Sequence, residues 1–323
     1  MKLLIILINY KTPKLTLRAL RAALVDLGEL PGSRVALVDN GSDDGSATEL
    51  GEALDRAGLR DRVELVASPT NLGFAGGVNL ALRPALRGAD PPEFVHLLNS
   101  DALPAPGAIL TLLRFLDAHP AAGIAGSYIH GPGGETHDTA FRFPSAAAQF
   151  EETLGVGVVT RLLDRWVVSK PVPATAARVD WLAGASMMMR RAVFDTIGLY
   201  DENFFFYFEE TDFCLRAARA GFETWYVPES RVEHIGAASS GQKDRTKPRA
   251  AFWWDGRRYY FYKNHGRLYL WAANAAWLAG FLLGETRRRL IRRRGPFPPR
   301  FLRDFVRYNL AFRHLGRGLP ADS

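Results

Sequence analysis

The sequence has almost none of the cysteine that crosslinks small secreted domains or holds structural zinc. Cys214 is the only cysteine among 323 residues. A disulfide framework within the chain is therefore excluded, and no cysteine or histidine spacing typical of a zinc site is present. We expect a reducing environment, and a packing role for Cys214 because it falls within an apolar helical pattern.

We expect no targeting segment before the first predicted strand. The apolar run from Leu3 to Ile8 follows directly on Met1 and Lys2. It is too short for a signal peptide and lacks a small-residue cleavage site. We therefore expect the folded portion that starts with this strand to be cytoplasmic. Internal repeats and long low-complexity segments are absent as well.

The composition is that of a globular protein whose positive charge is concentrated near one end. Hydrophobic residues make up 47% of the sequence and charged residues 23%, which excludes a disordered chain. The length allows one large domain or two smaller ones. The net charge is +7, yet eleven arginines and only two acidic residues lie between Glu285 and Arg317. This segment is predicted to meet an anionic partner.

Short apolar strands alternate with helical patterns in the first hundred residues. This alternation predicts a mainly parallel sheet covered by helices on both faces. The predicted strands are Leu3–Ile8, Val35–Val38, Val63–Ala67 and Phe94–Leu98. Further strands are predicted at Gly123–Ile129, Val179–Met189 and Thr224–Val227, whereas residues 141–177 suggest an insertion on the substrate side.

Polar residues follow three of these strands where each strand ends. They form the segments Asn9–Thr12, Asp39–Asp43 and Asn99–Asp101. Ligands of open α/β sheets bind beyond the carboxyl ends of the strands, so a polar ligand is predicted there. A Rossmann dehydrogenase would need G-x-G-x-x-G after the first strand. The sequence Asn-Tyr-Lys-Thr-Pro at positions 9–13 excludes that class.

An acidic stretch, Glu209, Glu210 and Asp212, follows the aromatic run Phe204–Phe206. Negative charge is stabilised at a helix N-terminus, and an aromatic wall that limits solvent raises the pKa of a carboxylate. Such a carboxylate suits general-base catalysis on a hydroxyl. The alternative is a solvated acidic helix start without a catalytic role.

The helix at this stretch is predicted to span Asp212–Ala220. Thr211 is a suitable N-cap residue, and Gly221 is a suitable residue after the C-terminus. Under this prediction both glutamates lie just before the first helical turn.

The ordered set of motifs resembles the inverting glycosyltransferases of family 2, and within them the rhamnosyltransferase-like group. The matching segments run from the first strand to His234 and cover roughly residues 1–240. They are Ile8–Thr12, Val38–Ser42, Asn71–Asn79, Leu97–Asp101, Trp181–Ala185 and Phe206–Asp212. The resemblance implies a GT-A fold, with a nucleotide-sugar-binding part at 1–127 and an acceptor and catalytic part at 128–240.

The resemblance implies that a nucleotide-sugar donor lies along the first strands. Asp39 corresponds to the residue that binds the base, although an Asp before Asn-Gly also suits a turn. The family's donor-side positions correspond here to Asn9, Thr12, Asn71, Gly73, Gly76 and Asn99. The glycines permit close approach of the backbone to phosphates, or equally tight helix–sheet packing.

Asn99-Ser100-Asp101 stands at the position of the family's D-x-D motif, which implies Mg²⁺ or Mn²⁺ as cofactor. Such cations prefer oxygen ligands. Asp101 supplies a carboxylate, but Asn99 supplies only a neutral carbonyl, so this chain departs from the pattern. His234 resembles the histidine that completes the metal site, although a lone histidine is often a surface or packing residue.

The family's catalytic base corresponds to Glu210, with Glu209 or Asp212 orienting the acceptor or the base. The family often has Glu-Asp where this chain has Glu209-Glu210. The choice of base between the two glutamates therefore stays open. Trp181, Gly184 and Tyr207 resemble acceptor-side positions.

The segment 268–284 contains seventeen residues without a charge and is followed by two arginine triplets. A transmembrane helix usually needs about 20 apolar residues. An interfacial helix that docks on anionic lipid through residues 268–317 therefore fits better. The alternative is a core-packing helix followed by a solvated basic helix. Nucleic acid is not the expected partner, since no nucleic-acid-binding module is visible.

Together these observations predict an α/β glycosyltransferase domain at 1–240 and a helical, basic, membrane-associating extension at 241–323. The expected protein is a peripheral enzyme on the cytoplasmic face of the membrane. It would transfer a sugar, first rhamnose from dTDP-rhamnose and second a UDP-sugar, to a lipid-linked or growing cell-surface glycan. The alternative is a catalytically inactive nucleotide-sugar-binding scaffold, which Asn99 in the metal motif keeps open.

Overall fold

The computed structural model describes residues 1–236, 247–293 and 295–309. The strands are β1 (Leu3–Asn9), β2 (Arg34–Asn40), β3 (Val63–Ser68), β4 (Phe94–Asn99), β5 (Ala102–Pro104), β6 (Ala122–His130), β7 (Ala140–Phe141), β8 (Ala177–Val179), β9 (Trp181–Leu182), β10 (Ser186–Arg190) and β11 (Glu223–His234). The helices are α1 (Pro13–Leu27), α2 (Ser46–Arg56), α3 (Gly73–Arg87), α4 (Ala108–Ala118), α5 (Ala146–Leu154), α6 (Gly157–Leu162), α7 (Arg191–Ile197), α8 (Glu209–Arg219), α9 (Ala251–His265), α10 (Arg267–Leu290) and α11 (Phe301–Asn309).

Within the described residues, nine strands form one central sheet in the order β3-β2-β1-β4-β10-β6-β11-β5, with β8 paired to β11. Strands β3, β2, β1 and β4 are parallel, as the sequence predicts. Beyond β4 the sheet is mixed, because β10 runs antiparallel to both β4 and β6. The chain enters β10 from the edge where β4 ends, so the two strands must run in opposite directions.

Helices cover both faces of the sheet because its inner strands carry apolar side chains on both faces. In β1, Leu3, Ile5 and Leu7 join the core beneath α1, α2 and α4. The alternate residues Leu4 and Ile6 join a second core beneath α3 and α8. This two-sided burial follows from the period-2 alternation of side chains along a strand. The large central sheet flanked by helices confirms the predicted architecture.

The predicted strand over Val179–Met189 is divided into three short strands. Asp180 lies outside the sheet, and its Oδ2 accepts a hydrogen bond of 2.9 Å from the Phe143 amide. Trp181 then pairs with Phe141 in a separate two-stranded sheet of β7 and β9. The two flanking strands belong to the central sheet, since β8 pairs with β11 and β10, starting at Ser186, pairs with β4 and β6. Because residues 179–189 are mostly apolar, their sequence did not indicate these interruptions.

The prediction of Thr211 as a helix N-cap is wrong by three positions. Helix α8 begins at Glu209, and its N-cap is Phe208, which has a left-handed φ of 71°. The Phe208 carbonyl accepts the Asp212 amide at 2.8 Å, so Thr211 lies inside the first turn. Both glutamates are thus within the positive end of the helix. Gly221 follows the helix with a φ of 91°, as predicted.

Strand β11 continues past the predicted end at Val227 and reaches His234. Pro228 suggested a strand end because proline cannot donate to the ladder. Instead, the register with β6 shifts between Val227 and Arg231, and the residues between them form a bulge. The continued strand pairs His234 with Ala102 of β5. His234 is therefore placed beside the Asn99–Asp101 loop.

The C-terminal helices pack on the rest of the protein. Helix α10 packs against α5 and α9, and it buries Leu270, Trp277 and Phe281. Gly280 and Gly284 permit close approach to α5, because a Cβ at Gly280 would lie 2.4 Å from the Phe150 carbonyl. Core packing, which the sequence left as the alternative, therefore accounts for one face of α10. None of the described helices combines the length and apolar character needed to cross a bilayer.

A buried carboxylate at the end of α1 holds the start of α4. Asp26 is 2% exposed. Its Oδ1 accepts the Gly107 amide at 2.6 Å, and its Oδ2 accepts the amides of Ile109 at 2.8 Å and Leu110 at 3.3 Å. These amides have no partner inside their own helix, so Asp26 satisfies them from a distant segment. The same contact fixes α1 against α4.

We expect Asp26→Ala to lower the free energy of unfolding by about 2 kcal/mol, because it leaves buried amides unsatisfied. Urea denaturation followed by circular dichroism measures this change. Asp61→Ala, which removes an exposed carboxylate, is the matched control and should leave the midpoint unchanged. Equal stability of the two variants would contradict the capping role.

Candidate active site

Asp39 lies at the end of β2 in a buried polar cluster. Its Oδ1 accepts hydrogen bonds from Asn9 Nδ2 at 2.7 Å and from Ser42 Oγ at 2.6 Å. Its Oδ2 accepts the Ser42 amide at 3.3 Å. All three side chains are buried. The structure thus brings the predicted residues Asn9 and Asp39 together, and it adds Ser42, which sequence reasoning missed.

The loop after β1 connects this cluster to the loop after β4. Asn9 Oδ1 accepts hydrogen bonds from the Thr12 amide at 3.3 Å and from Thr16 Oγ1 at 2.8 Å. Thr12 Oγ1 in turn donates to Ser100 Oγ at 3.3 Å. Thr12 therefore lies between the Asp39 cluster and the Asn99–Asp101 loop, at the sheet edge where the donor was predicted.

Asn40 organises the approach to α3 and was not among the predicted site residues. Its Nδ2 donates to Asn71 Oδ1 at 3.2 Å and to the Gly73 carbonyl at 2.9 Å. Its Oδ1 accepts the Leu72 amide at 3.2 Å. The sequence feature that could have identified Asn40 as a site residue is its position directly after Asp39. Asn71 is thus held beside the Asp39 segment, as its predicted donor-side role requires.

Packing accounts for the glycines at the start of α3. Gly73 has a φ of 72°, and a Cβ there would lie 2.3 Å from the Phe205 carbonyl. That carbonyl accepts the Phe74 amide at 2.7 Å. A Cβ at Gly76 would lie 2.7 Å from the Leu72 side chain. Of the two explanations, tight packing is therefore seen directly, and contact of Gly73 and Gly76 with phosphates stays a prediction.

Asp101 and His234 lie side by side, as a shared metal site requires. His234 Nε2 is 3.1 Å from Asp101 Oδ1, and the Ile235 amide donates to the Asp101 carbonyl at 3.1 Å. The His137 ring approaches His234 edge-on, with centroids 6.2 Å apart. Across the described residues, no three His, Cys, Asp or Glu side chains form a complete metal cluster. The pair offers one carboxylate oxygen, the ligand type that Mg²⁺ and Mn²⁺ prefer, and one imidazole nitrogen, which suits Mn²⁺ better than Mg²⁺.

At the start of α8, Glu209 is buried and Glu210 is half-buried, and each has one buried carboxylate oxygen without a partner. Glu209 is 4% exposed, and Oε2 of both Glu209 and Glu210 is buried without a hydrogen bond. Burial raises the pKa of Glu210 to about 7. Burial and the neighbouring Glu210 charge raise the pKa of Glu209 well above its usual range. Burial thus shifts both pKa values in the predicted direction, and it outweighs the opposing effect of hydrogen bonds from backbone amides at the helix N-terminus.

The turn before this pair has an unusual backbone. Tyr207 and Phe208 both have a φ of 71°, a left-handed conformation that is uncommon for large side chains. Gly256 of α9 makes room for it, since a Cβ there would lie 2.9 Å from the Tyr207 carbonyl. The half-buried ring of Tyr207, a predicted acceptor-side residue, lies 6.0 Å from Phe252. One short segment therefore positions both glutamates and the aromatic ring of Tyr207.

Asp212 is engaged by basic and amide groups of α8 and α9. It is fully buried. Its Oδ2 accepts from Arg216 Nε at 2.9 Å and Lys263 Nζ at 2.7 Å, and its Oδ1 accepts from Asn264 Nδ2 at 2.9 Å. This arrangement favours anchoring of α8 over contact with an acceptor. A direct part for Asp212 in orienting the acceptor stays a prediction.

The predicted acceptor residues Trp181 and Gly184 lie between the metal motif and α8. Trp181 stacks on Phe141 with centroids 4.2 Å apart and donates from Nε1 to the Arg142 carbonyl at 2.8 Å. The Asn99 amide donates to the Ala185 carbonyl at 3.0 Å, which places the Gly184 turn beside the Asn99 loop. A Cβ at Gly184 would meet no atom within 4 Å, so space is open there.

Three contacts connect the acidic helix to the edge of the sheet that carries Asp39 and Asp101. The Phe205 carbonyl binds α3, β9 packs against α8, and the chain leaving β9 binds the Asn99 loop through Ala185. Cys214, in the middle of α8, is buried in the core beneath this edge, and burial raises the pKa of its thiol to about 12. This supports its packing role. The predicted site residues thus belong to one connected set of segments.

Comparison with known proteins agrees with this arrangement. The family described as "Glycosyltransferase like family 2" matches residues 2–252. The N-acetylglucosaminyl-diphospho-decaprenol L-rhamnosyltransferase of Mycobacterium tuberculosis is 31% identical over 215 residues, which cover 64% of this chain and 68% of the relative. The rhamnosyltransferase WbbL of Escherichia coli is 26% identical over 166 residues, covering 50% and 60% of the two chains.

Solved structures share the fold at low sequence identity. The mannosyltransferase PcManGT of Pyrobaculum calidifontis, in complex with GDP-Man and Mn²⁺, aligns with a TM-score of 0.57 at 14% identity, over 90% of this chain and 75% of that chain. GalNAc-T7 with UDP, GalNAc and Mn²⁺ aligns with a TM-score of 0.53 at 13% identity, over 81% and 50% of the two chains. These likenesses confirm the GT-A fold. With the family match over most of its length, the chain belongs to glycosyltransferase family 2.

Proposed function

We propose that this glycosyltransferase moves a sugar, with inversion, from a nucleotide diphosphate donor to a lipid-linked or growing cell-surface glycan. The observation that carries the proposal is the buried Glu209–Glu210 pair, tied to the sheet edge that holds Asp39 and Asp101. A carboxylate with a pKa near neutral beside a donor-binding edge suits removal of a proton from an acceptor hydroxyl.

In the proposed reaction, Glu210 takes the proton of the acceptor hydroxyl as its oxygen attacks the anomeric carbon. The new carbon–oxygen bond forms opposite the bond to the diphosphate, whose electron pair leaves with the phosphate oxygen. One displacement of this kind inverts the anomeric centre. Asp101 and His234 would hold Mg²⁺ or Mn²⁺, which when bound supplies positive charge for the diphosphate.

The similarity to two rhamnosyltransferases supports dTDP-rhamnose as the first donor and a UDP-sugar as the second. The name of the mycobacterial relative includes a diphospho-decaprenol acceptor, which supports a lipid-linked acceptor for this chain too. The cluster of Asn9, Asp39 and Ser42 would face the nucleotide base, with the Asn71 segment towards the ribose and phosphates. Trp181, Gly184 and Tyr207 would face the acceptor.

Docking on the cytoplasmic face of an anionic membrane is part of the same proposal. The outward face of α10 exposes Leu268 by 87%, Trp271 by 40% and Leu283 by 56%, although the other face of the helix is buried. Exposed arginines follow at its C-terminal end. An apolar face next to basic side chains is typical of interfacial helices. Residues 294 and 310–317 of the predicted docking segment lie outside the described part.

We expect Glu210→Gln to lower kcat by about 10³-fold, because the base is removed, with donor binding unchanged. Turnover of dTDP-rhamnose and then of UDP-sugars measures the loss. Since the pKa of Glu210 is about 7, wild-type kcat should rise as the pH increases through that value. Glu52→Gln, on the exposed side of α2, is the control.

The same substitution should not weaken the fold. The pKa of Glu210 is raised on folding, so the native state binds more protons and loses stability as the pH rises from about 4.5 to 7. Glu210→Gln removes that loss and should unfold no earlier than wild type at pH 8. If Glu210→Gln is fully active and Glu209→Gln is inactive, the base is Glu209 and not Glu210. A wild type that turns over no donor would favour the inactive scaffold.

We expect Asp101→Asn and His234→Ala each to weaken Mn²⁺ binding in the presence of a nucleoside diphosphate by about 10- to 100-fold. Electron paramagnetic resonance of free Mn²⁺ measures the affinity directly, independently of turnover. Asp61→Asn, in an exposed loop, is the control with the same chemical change. Undiminished Mn²⁺ affinity in both site variants would refute the assignment.

We expect the outward face of α10 to enter the headgroup region of anionic vesicles. Brominated lipid should quench tryptophan fluorescence less in Trp271→Phe than in wild type. Leu282→Gln with Leu283→Gln should weaken vesicle binding about tenfold, since both side chains are exposed and apolar. Val25→Gln, which alters an exposed apolar residue of α1, should bind normally. Equal quenching of wild type and Trp271→Phe would contradict docking through this face.

A further inference from the structure

A groove of about 430 Å³ lies between the C-terminal half of α10 and the segment that leads into α11. One wall is formed by Leu282 and Arg289 of α10, among others, and the opposite wall by residues 295–303. Its lining combines aromatic and aliphatic side chains with arginines, a mixture suited to a ligand with both an apolar and an anionic part. The proposed chemistry at Glu210 does not use this groove.

The apolar side of the groove is well ordered by ring packing. Phe297 stacks on Phe301 with centroids 4.9 Å apart, and Phe281 lies 5.2 Å from Phe297. Leu282 and Leu302 complete this side, and Leu282 also belongs to the exposed apolar face of α10. The groove is therefore continuous with the face proposed to contact the membrane.

The polar side of the groove has an excess of positive charge. Arg289, Arg300 and Arg303 line it. Arg303 contacts Asp304 at 3.3 Å, but within the described ranges neither Arg289 nor Arg300 pairs with a carboxylate. Glu285 also lines the groove, but its Oε1 is held by Arg288 Nε at 2.9 Å, so its charge is compensated.

We propose that this groove binds the headgroup phosphate of an anionic phospholipid of the bilayer, an inference that rests on the proposed membrane docking. Arg289 and Arg300 would bind the phosphate oxygens, since guanidinium groups donate in a fork that matches them. The glycerol and the start of the acyl chains would lie along Leu282 and Leu302. A soluble phosphate would leave this apolar side unused.

The test compares two double variants that remove the same charge. Arg289→Gln with Arg300→Gln changes the groove, whereas Arg287→Gln with Arg292→Gln changes exposed arginines that do not line it. The probe is monomeric dihexanoyl-phosphatidylglycerol, with dihexanoyl-phosphatidylcholine and inorganic phosphate as separate arms. Isothermal titration measures binding, and thermal unfolding verifies that each variant is folded.

We expect saturable binding of phosphatidylglycerol by the wild type, weakened about tenfold or more in the groove variant and less than about twofold in the control variant. Equal weakening in both variants, or no binding by the wild type, would overturn the proposal. Phosphate bound as tightly as phosphatidylglycerol would also overturn it, because the lipid part would contribute nothing.

Vesicles of phosphatidylcholine containing about one-third phosphatidylglycerol separate this inference from the docking on which it rests. If the wild type binds these vesicles and both double variants lose the same affinity, docking stands and the groove is not a lipid site. If the wild type does not bind them, docking itself fails. A larger loss in the groove variant supports both.

Discussion

The site depends on keeping two adjacent carboxylates buried at the start of one helix. Removing a carboxylate from water is costly unless it is paired or protonated, and burial accordingly raises the pKa values of both Glu209 and Glu210. Such a pair persists only where the surrounding structure fixes it. Asp212 provides that support three residues after Glu209, through its ion pairs with Arg216 and Lys263.

The segment after residue 240 takes part in this support. Gly256 accommodates the carbonyl of the strained turn, and Lys263 holds Asp212 from α9. The family match also continues to residue 252, beyond the domain boundary drawn from the sequence at 240. That boundary stays a prediction, but these contacts favour counting α9 with the segments that hold the turn before α8.

Sequence-based prediction succeeded best where a strand-like apolar run ends in polar residues. Apolar runs ending in Asn9, Asp39 and Asn99 predicted both the parallel strands and the edge where polar groups meet, and the structure confirms this edge. The left-handed turn at Phe208 could not be predicted, because large side chains rarely adopt it and only contact with α9 makes room. Likewise α10 is apolar on both faces, so periodicity could not show which face is buried.

The packing of α10 has a consequence for how the active site would meet a membrane. Its inward face is fixed by glycines against α5 and by Trp277, which stacks on Phe305 at 3.8 Å. Trp277 also contacts Trp254, and the adjacent Trp253 lies 5.9 Å from Phe208 of the left-handed turn before α8. A continuous series of ring contacts therefore joins α10 to the turn that precedes Glu209 and Glu210. Docking through α10 would set the orientation of the site relative to the bilayer. The reason is that a close-packed interior leaves little freedom of movement between α10 and the turn before α8.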